Sequence, residues 1–315
     1  MLSRKATRVV RDFTCDSRRW AAYQPREGDV IIATAPKVGT TWMQQIVSLL
    51  IFQSPEPRPL ARLSLWIDCR FRGPVEQMLD SIEAQTHRRF LKSHLPLDAL
   101  PIYDEVKYIH VARDGRDACM SLLNHHSSFS QEALQSFDKI GLSDETINRS
   151  FPRTPKGERE FFLYWIADNE NRSGLRMSDS FFHLERAFWV ERRRPNLLLV
   201  HYNDLKADLS GEMKRVAEFL GITMPDVIWP QLVEAASFES MKREGGKLMP
   251  QLDSLLDRGH QNFFYKGTNS RWRSVLTDSD VDLYEQKIKA VLSPALIHWL
   301  SDGRLVAGDP VDSPD

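Results

Sequence analysis

The feature that most restricts how this chain can fold is the run Asp29-Val30-Ile31-Ile32-Ala33-Thr34, taken with the turn and helix directly after it. A β-branched run of this kind favours a strand. It leads into the turn Ala35-Pro36-Lys37-Val38-Gly39. Met43, Ile46, Val47 and Leu50 then fall at the i, i+3, i+4, i+7 spacing of a helix. Strand, glycine-bearing turn and helix, in that order, leave the first helical N–H groups unpaired at the positive end of the helix dipole, which suits a phosphate. Thr40 and Thr41 add hydroxyls, and Lys37 adds a charge. The lysine precedes the glycine and no second glycine is correctly spaced, so this is not the GxxxxGK[ST] loop. On this segment alone, an ordinary connection whose threonines merely cap the helix stays open.

Two more strands share the same plan. Residues 106–112 (VKYIHVA) precede Arg113-Asp114-Gly115-Arg116-Asp117 and a helix expected from Ala118. Residues 196–201 (NLLLVH) precede Tyr202-Asn203-Asp204-Leu205-Lys206, and then a helix with Met213, Val216, Ala217 and Leu220 on one face and Gly221 as its stop. Alternating strands and helices predict an α/β fold, a central parallel sheet flanked by helices, with ligands at the carboxyl ends of the strands.

With 315 residues and 42% hydrophobic content the chain can bury a sizeable core, and residues 1–306 read as one domain. Lys+Arg 42 against Asp+Glu 43 leaves no global field for nucleic acid or an anionic membrane, so any anion site is local. Cys15, Cys69 and Cys119 form no CxxC pair, which fits a reducing, cytoplasmic setting. No apolar run approaches the roughly 18 residues of a membrane span. In the less regular stretch 127–194, Phe161-Phe162-Leu163-Tyr164-Trp165 and Phe181-Phe182 either cap an acceptor pocket or fill core. Residues 307–315 are expected to fray. His125 and His126 are adjacent, do not share a helix face, and read as structural; no metal-ligand constellation stands out.

The segment APKVGTTW resembles the 5′-phosphosulfate loop of the cytosolic-type sulfotransferases, usually PKSGTTW, with Val38 in place of serine. The resemblance implies a P-loop-like, nucleoside-kinase-like fold. It also implies transfer of a sulfuryl group from PAPS (3′-phosphoadenylyl sulfate) to an acceptor hydroxyl, with PAP released and no metal. It assigns Lys37, Val38, Gly39, Thr40, Thr41 and Trp42 to the donor. Phe90-Leu91-Lys92-Ser93-His94-Leu95-Pro96 is similar to the family's K-[TS]-H-L-P, which makes His94 the general base and places Lys37 and Lys92 on the leaving phosphate and sulfuryl oxygens. Arg113 and Ser121 match the 3′-phosphate segment, RNPKD followed by a serine. Tyr202-Asn203-Asp204-Leu205-Lys206 resembles the family's Y-E-D-[ML]-K and Ala236-Ser237-Phe238 its T-S-F, which implies that Tyr202, Ser237 and Phe238 lie beside the adenine.

The family's RKGxxGDWK is only partly kept. Lys266 and Gly267 remain, Tyr265 stands for the first arginine, and Arg271 or Arg273 is left to replace it. The dimer motif KxxxTVxxxE is degraded, with Asp278 where valine is usual, so monomer and homodimer both stay open. The acceptor class spans phenols, steroids, alcohols and glycolipids, and the chain looks closest to bacterial members, including glycolipid-sulfating ones. Two rivals stand beside this reading. One is a P-loop small-molecule kinase using Asp114 to hold magnesium, and the other a nucleotide-binding protein without catalysis.

Overall fold

Val30, Ile31, Ile32 and Ala33 are all fully buried, as a central strand covered on both faces requires. The computed structural model describes residues 1–168 and 174–314. This run forms β1 (Val30–Ala33), which lies between β2 (Phe90–Ser93) and β3 (Lys107–Ala112), and β4 (Leu197–His201) flanks β3. All three pairings are parallel. A small antiparallel pair, Leu2–Arg4 with Ile102–Tyr103, stands apart.

Register decides what the sheet can build. Ala33 pairs with Ser93, and Ala112 with His201. The next residue along each strand is Thr34, His94, Arg113 or Tyr202, so these four emerge together at one edge of the sheet. The edge strand β2 is not evident as a strand in the sequence. It has only four residues, comes after Arg88-Arg89 and carries Lys92 in its middle. Tertiary contacts hold it: the Lys92 N–H donates to the Leu65 carbonyl (2.9 Å), and buried Arg89 grips Asp29 at the root of β1.

Four helices illustrate how the sheet is covered: α1 (Thr40–Phe52), α2 (Gly115–Ser127), α3 (Ser178–Val190) and α4 (Leu209–Leu220). Side chains alternate along β3. His110 points to α3, where Glu185 binds its Nε2 (2.9 Å) and Phe188 stacks on its ring at 4.1 Å. Lys107, on the opposite face, lies 4.8 Å from the Phe219 ring of α4. Helix α4 stops at Gly221, which is left-handed (φ 66°), as expected from the sequence. Helix α2 begins three residues earlier than expected, because the Asp114 carboxylate accepts from the Arg116 N–H (2.8 Å) and caps it.

The stretch 127–194 is more regular than its composition suggests. It holds the helices Gln131–Ser143, Glu158–Ala167 and α3; residues 169–173 lie outside the described residues. Phe161, Phe162, Trp165, Phe181 and Phe182 are buried core, so these clusters do not cap a pocket. The expected fraying of residues 307–315 is not what the described part shows. Pro310–Asp312 forms a short turn whose carbonyls accept from Arg192 (2.8 Å to Pro310) and Arg193 (3.1 Å to Val311). Asp278 occupies no buried valine position; it is exposed in the first turn of the helix Asp278–Val291, where a carboxylate complements the dipole. Among the described residues no helix is long and apolar enough to cross a membrane.

Candidate active site

The sheet edge opens into a cavity of about 630 Å³. Lys37, Gly39, Thr40, Thr41, Trp42, Lys92, His94, Arg113, Ser121, Tyr202, Phe238, Lys266 and Gly267 all line it. Two anticipated residues do not. The Val38 side chain is fully buried in the core, so only the backbone of that position remains for a ligand. The Ser237 hydroxyl caps the helix Phe238–Arg243 by accepting from the Ser240 N–H (3.2 Å).

The turn after β1 is shaped by two unusual backbones. Gly39 sits at φ 117°, and a Cβ there would lie 3.1 Å from the Tyr202 ring. Lys37 is left-handed at φ 69°, a conformation that costs a side-chain-bearing residue about 1–3 kcal/mol and tends to persist at functional sites. It carries the Lys37 ammonium over the Phe263 ring (4.1 Å). Lys92 lies similarly over Trp66 (4.2 Å). Neither ammonium has a carboxylate or hydrogen-bond partner among the described residues. Burial, then mutual repulsion with Lys92 and Arg113, lowers Lys37 to about 7; burial lowers Lys92 to about 8. Two uncompensated, partly desolvated cations make an anion site. Replacing Gly39 with alanine is expected to cost about 1–3 kcal/mol in urea unfolding, from the strained φ alone, and to push Tyr202 out of place.

His94 is fixed from three sides. Its Nδ1–H donates to the Thr34 carbonyl (2.8 Å), its backbone N–H donates to Asp68 (3.2 Å), and its own carbonyl accepts from Arg176. Asp68 also accepts from Trp20 (3.1 Å) and Trp66 (2.7 Å). With Nδ1 occupied, Nε2 keeps its lone pair. Burial, reinforced by Lys92, holds the imidazole well below its usual range, so it is neutral at pH 7.

At the other end Arg113 stacks over Tyr202 (4.2 Å) and donates to Asn269 Oδ1 (2.7 Å) and the Thr268 carbonyl (3.1 Å). Its Nε is buried without a partner. The loop 265–270 is tied down by Lys206 to the Gly267 carbonyl (2.9 Å), Asn203 with Asn269 (2.6 Å), and Asp117 accepting from the Ser270 N–H (2.7 Å). Gly267 is left-handed (φ 62°), and a Cβ there would come within 2.8 Å of the Phe238 ring. Trp42 meets Tyr202 edge-on at 5.3 Å and donates to the Ala236 carbonyl (2.7 Å). Arg271 lines the cavity, pairs with Glu158 (3.0 Å) and lies over Tyr265 (5.1 Å). Arg273 instead stacks on Trp272 (4.5 Å). The Asp114 carboxylate is engaged by Arg116 (2.6 Å).

Residues 27–294 match the family described as the sulfotransferase domain. The chain belongs to the sulfotransferase family. It is 33% identical over 313 residues to a glycolipid sulfotransferase of Mycobacterium bovis (strain BCG / Pasteur 1173P2), covering 94% of each chain. It is 27% identical over 257 residues to sulfotransferase 1A1 of Rattus norvegicus, covering 79% of each. Among solved structures, retinol dehydratase in complex with androsterone and PAP shares the fold at TM-score 0.66, with 23% identity, 88% of this chain and 84% of that one covered. A mouse sulfotransferase complexed with PAP gives TM-score 0.63, with 17% identity, 89% and 90% covered.

This sulfotransferase has cavity residues that sequence reasoning misses. His125 and His126 both line the cavity. Adjacent helical residues point about 100° apart, yet the cavity wraps far enough around the end of α2 to reach both. Phe263, Trp66 and Arg176 also carry no local signal, because their roles arise from contacts across the fold. Among the described residues no group of three or more His, Cys, Asp or Glu is placed to hold a metal ion.

Proposed function

We propose that this enzyme transfers a sulfuryl group from PAPS to a hydroxyl on an apolar acceptor, with His94 as general base. The observation that carries this reading is His94 Nε2 left free in a cavity that two unpartnered lysines and several aromatic rings also line. PAPS, when bound, supplies the sulfuryl group and a PAP leaving group. The residues present fit it: two ammonium groups without anions, an unpaired Arg113 Nε, and the glycine turn at the N-terminus of α1. Lys37, Gly39, Thr40 and Thr41, with the Val38 backbone, hold the 5′ end. Arg113 and Ser121, joined by Lys266 and Gly267, hold the 3′-phosphate. Trp42, Tyr202 and Phe238 wall the adenine, and Ser237 acts only by positioning Phe238. Arg271, not Arg273, takes the place left by Tyr265.

In the transfer step His94 Nε2 accepts the proton of the acceptor hydroxyl, while Thr34 keeps the ring oriented. Lys37 and Lys92 neutralise charge that grows on the leaving phosphate and on the sulfuryl oxygens. The acceptor arm is bounded by Phe71, Phe129, Phe137, Phe151 and Met120, which suits a lipid-like or glycolipid acceptor. The glycolipid sulfotransferase of Mycobacterium bovis supports that choice.

Titration calorimetry with PAP and with 5′-AMP tests the donor assignment. PAP should bind at least roughly tenfold more tightly, since 5′-AMP lacks the 3′-phosphate that Arg113 takes up in charge-assisted bonds. The phosphates raise both lysines from about 7 and about 8. Affinity is therefore fullest below pH 7 and declines as pH rises through 7 to 9, with protons taken up on binding. A fall of roughly tenfold or more between pH 6.5 and 8.5 is expected. Equal affinity for the two nucleotides would remove the 3′-phosphate site.

A further inference from the structure

The acceptor arm is lined largely by phenyl rings, yet its wall includes two imidazoles, His125 and His126, from the last turn of α2. His125 packs 4.9 Å from Phe129 and 6.1 Å from Phe263; His126 lies 6.2 Å from Phe151. Neither ring has a hydrogen-bond partner among the described residues. Nδ1 of each is sealed in the wall unpaired, which leaves Nε2 as the ring nitrogen that opens on the cavity. Phenylalanine would fill such a wall without burying a polar atom. In largely apolar ligand sites the few polar groups fix orientation and selectivity.

The two rings are not equivalent. His125 shares the Phe263 ring with Lys37, whose ammonium sits 4.1 Å from that ring, whereas His126 lies toward Phe151. His125 therefore faces the reacting end. Burial keeps both imidazoles below their usual range, His126 at about 4, so both are uncharged at neutral pH. With no partner on Nδ1 to fix the tautomer, His125 Nε2 is free to accept or donate. Lys37, Lys92, Arg72 and Arg176 line the same cavity, which disfavours a cationic group near the reacting hydroxyl.

We infer that His125 is a specificity-determining residue that hydrogen-bonds a second hydroxyl of the acceptor, next to the one that receives the sulfuryl group. Preferred acceptors are then neutral and carry two neighbouring hydroxyls, as on a catechol or a sugar ring, attached to an apolar body. This rests on the function proposed above.

The test compares kcat/KM for 4-octylcatechol and 4-octylphenol, which share the tail and the reacting phenol. After correction for two reactive hydroxyls, the wild-type ratio should favour the catechol by roughly tenfold. His125→Phe keeps the ring and removes its nitrogens. It should bring the ratio to about one through KM, and His125→Gln, which restores a polar tip, should recover part of it. A wild-type ratio near one, or a preference that survives in His125→Phe, overturns the inference. A wild-type ratio near one overturns it whether or not either variant folds. If wild-type enzyme sulfated neither compound, the proposed function would fall and this inference with it; turnover without preference sinks the inference alone.

Discussion

Replacing His94 with alanine is expected to lower PAPS-dependent transfer by roughly 10²–10⁴-fold while leaving PAP bound. The expectation comes from how little freedom the ring has. Thr34 at the end of β1 fixes Nδ1, and Asp68 and Arg176 fix the backbone around it. The ring thus presents one nitrogen, already unprotonated, to the cavity. Because burial and Lys92 keep the imidazole well below 6.5, the acid limb of the kcat profile in wild-type enzyme should lie below pH 6.5. Single-turnover rates with preloaded donor, paired with PAP titration of the variant, separate catalysis from binding. Full PAP affinity with an unchanged single-turnover rate would remove His94 from the chemistry.

Lys37→Met should cost roughly 10²–10³ in kcat, the usual loss when one preorganised donor to developing charge is removed. Methionine keeps an apolar stem of similar length but not the charge that sits over Phe263. PAP affinity should fall as well, and the decline of affinity between pH 6.5 and 8.5 should become shallower, because the group with the lower of the two lysine values is gone. A kcat within fivefold of wild type, or an unchanged pH slope, would mean that the charge of Lys37 does not serve the donor.

The parts of this molecule legible in sequence are those whose determinants are contiguous. The turn from Lys37 to Thr41 announces itself because a β-branched strand, a glycine and a helical period sit within one short segment. Helix α4 and its Gly221 stop are equally local. Strand β2 is hidden because it is only four residues long and its open edge is satisfied from elsewhere, where the Leu65 carbonyl accepts from the Lys92 N–H. His125 and His126 read as structural because adjacency argues against a shared face, and nothing local reveals how far a cavity curves. Ser237 differs in the other direction: the family resemblance implies a donor contact, yet the side chain does not line the cavity and its hydroxyl accepts from the Ser240 N–H. The tail misleads because its Pro, Asp and Gly content suggests fraying, and nothing local shows that the carbonyls of Pro310 and Val311 accept from Arg192 and Arg193.

The most direct measurement tracks sulfur-labelled PAPS through a reaction with an apolar hydroxyl acceptor. Label should move onto the acceptor hydroxyl with one PAP released for each sulfate ester formed, at a rate unchanged by a metal chelator and cut by roughly 10²–10⁴-fold in His94→Ala. If labelled PAPS binds yet the label never leaves the nucleotide for any hydroxyl acceptor, the sheet-edge cavity is not a sulfuryl-transfer site.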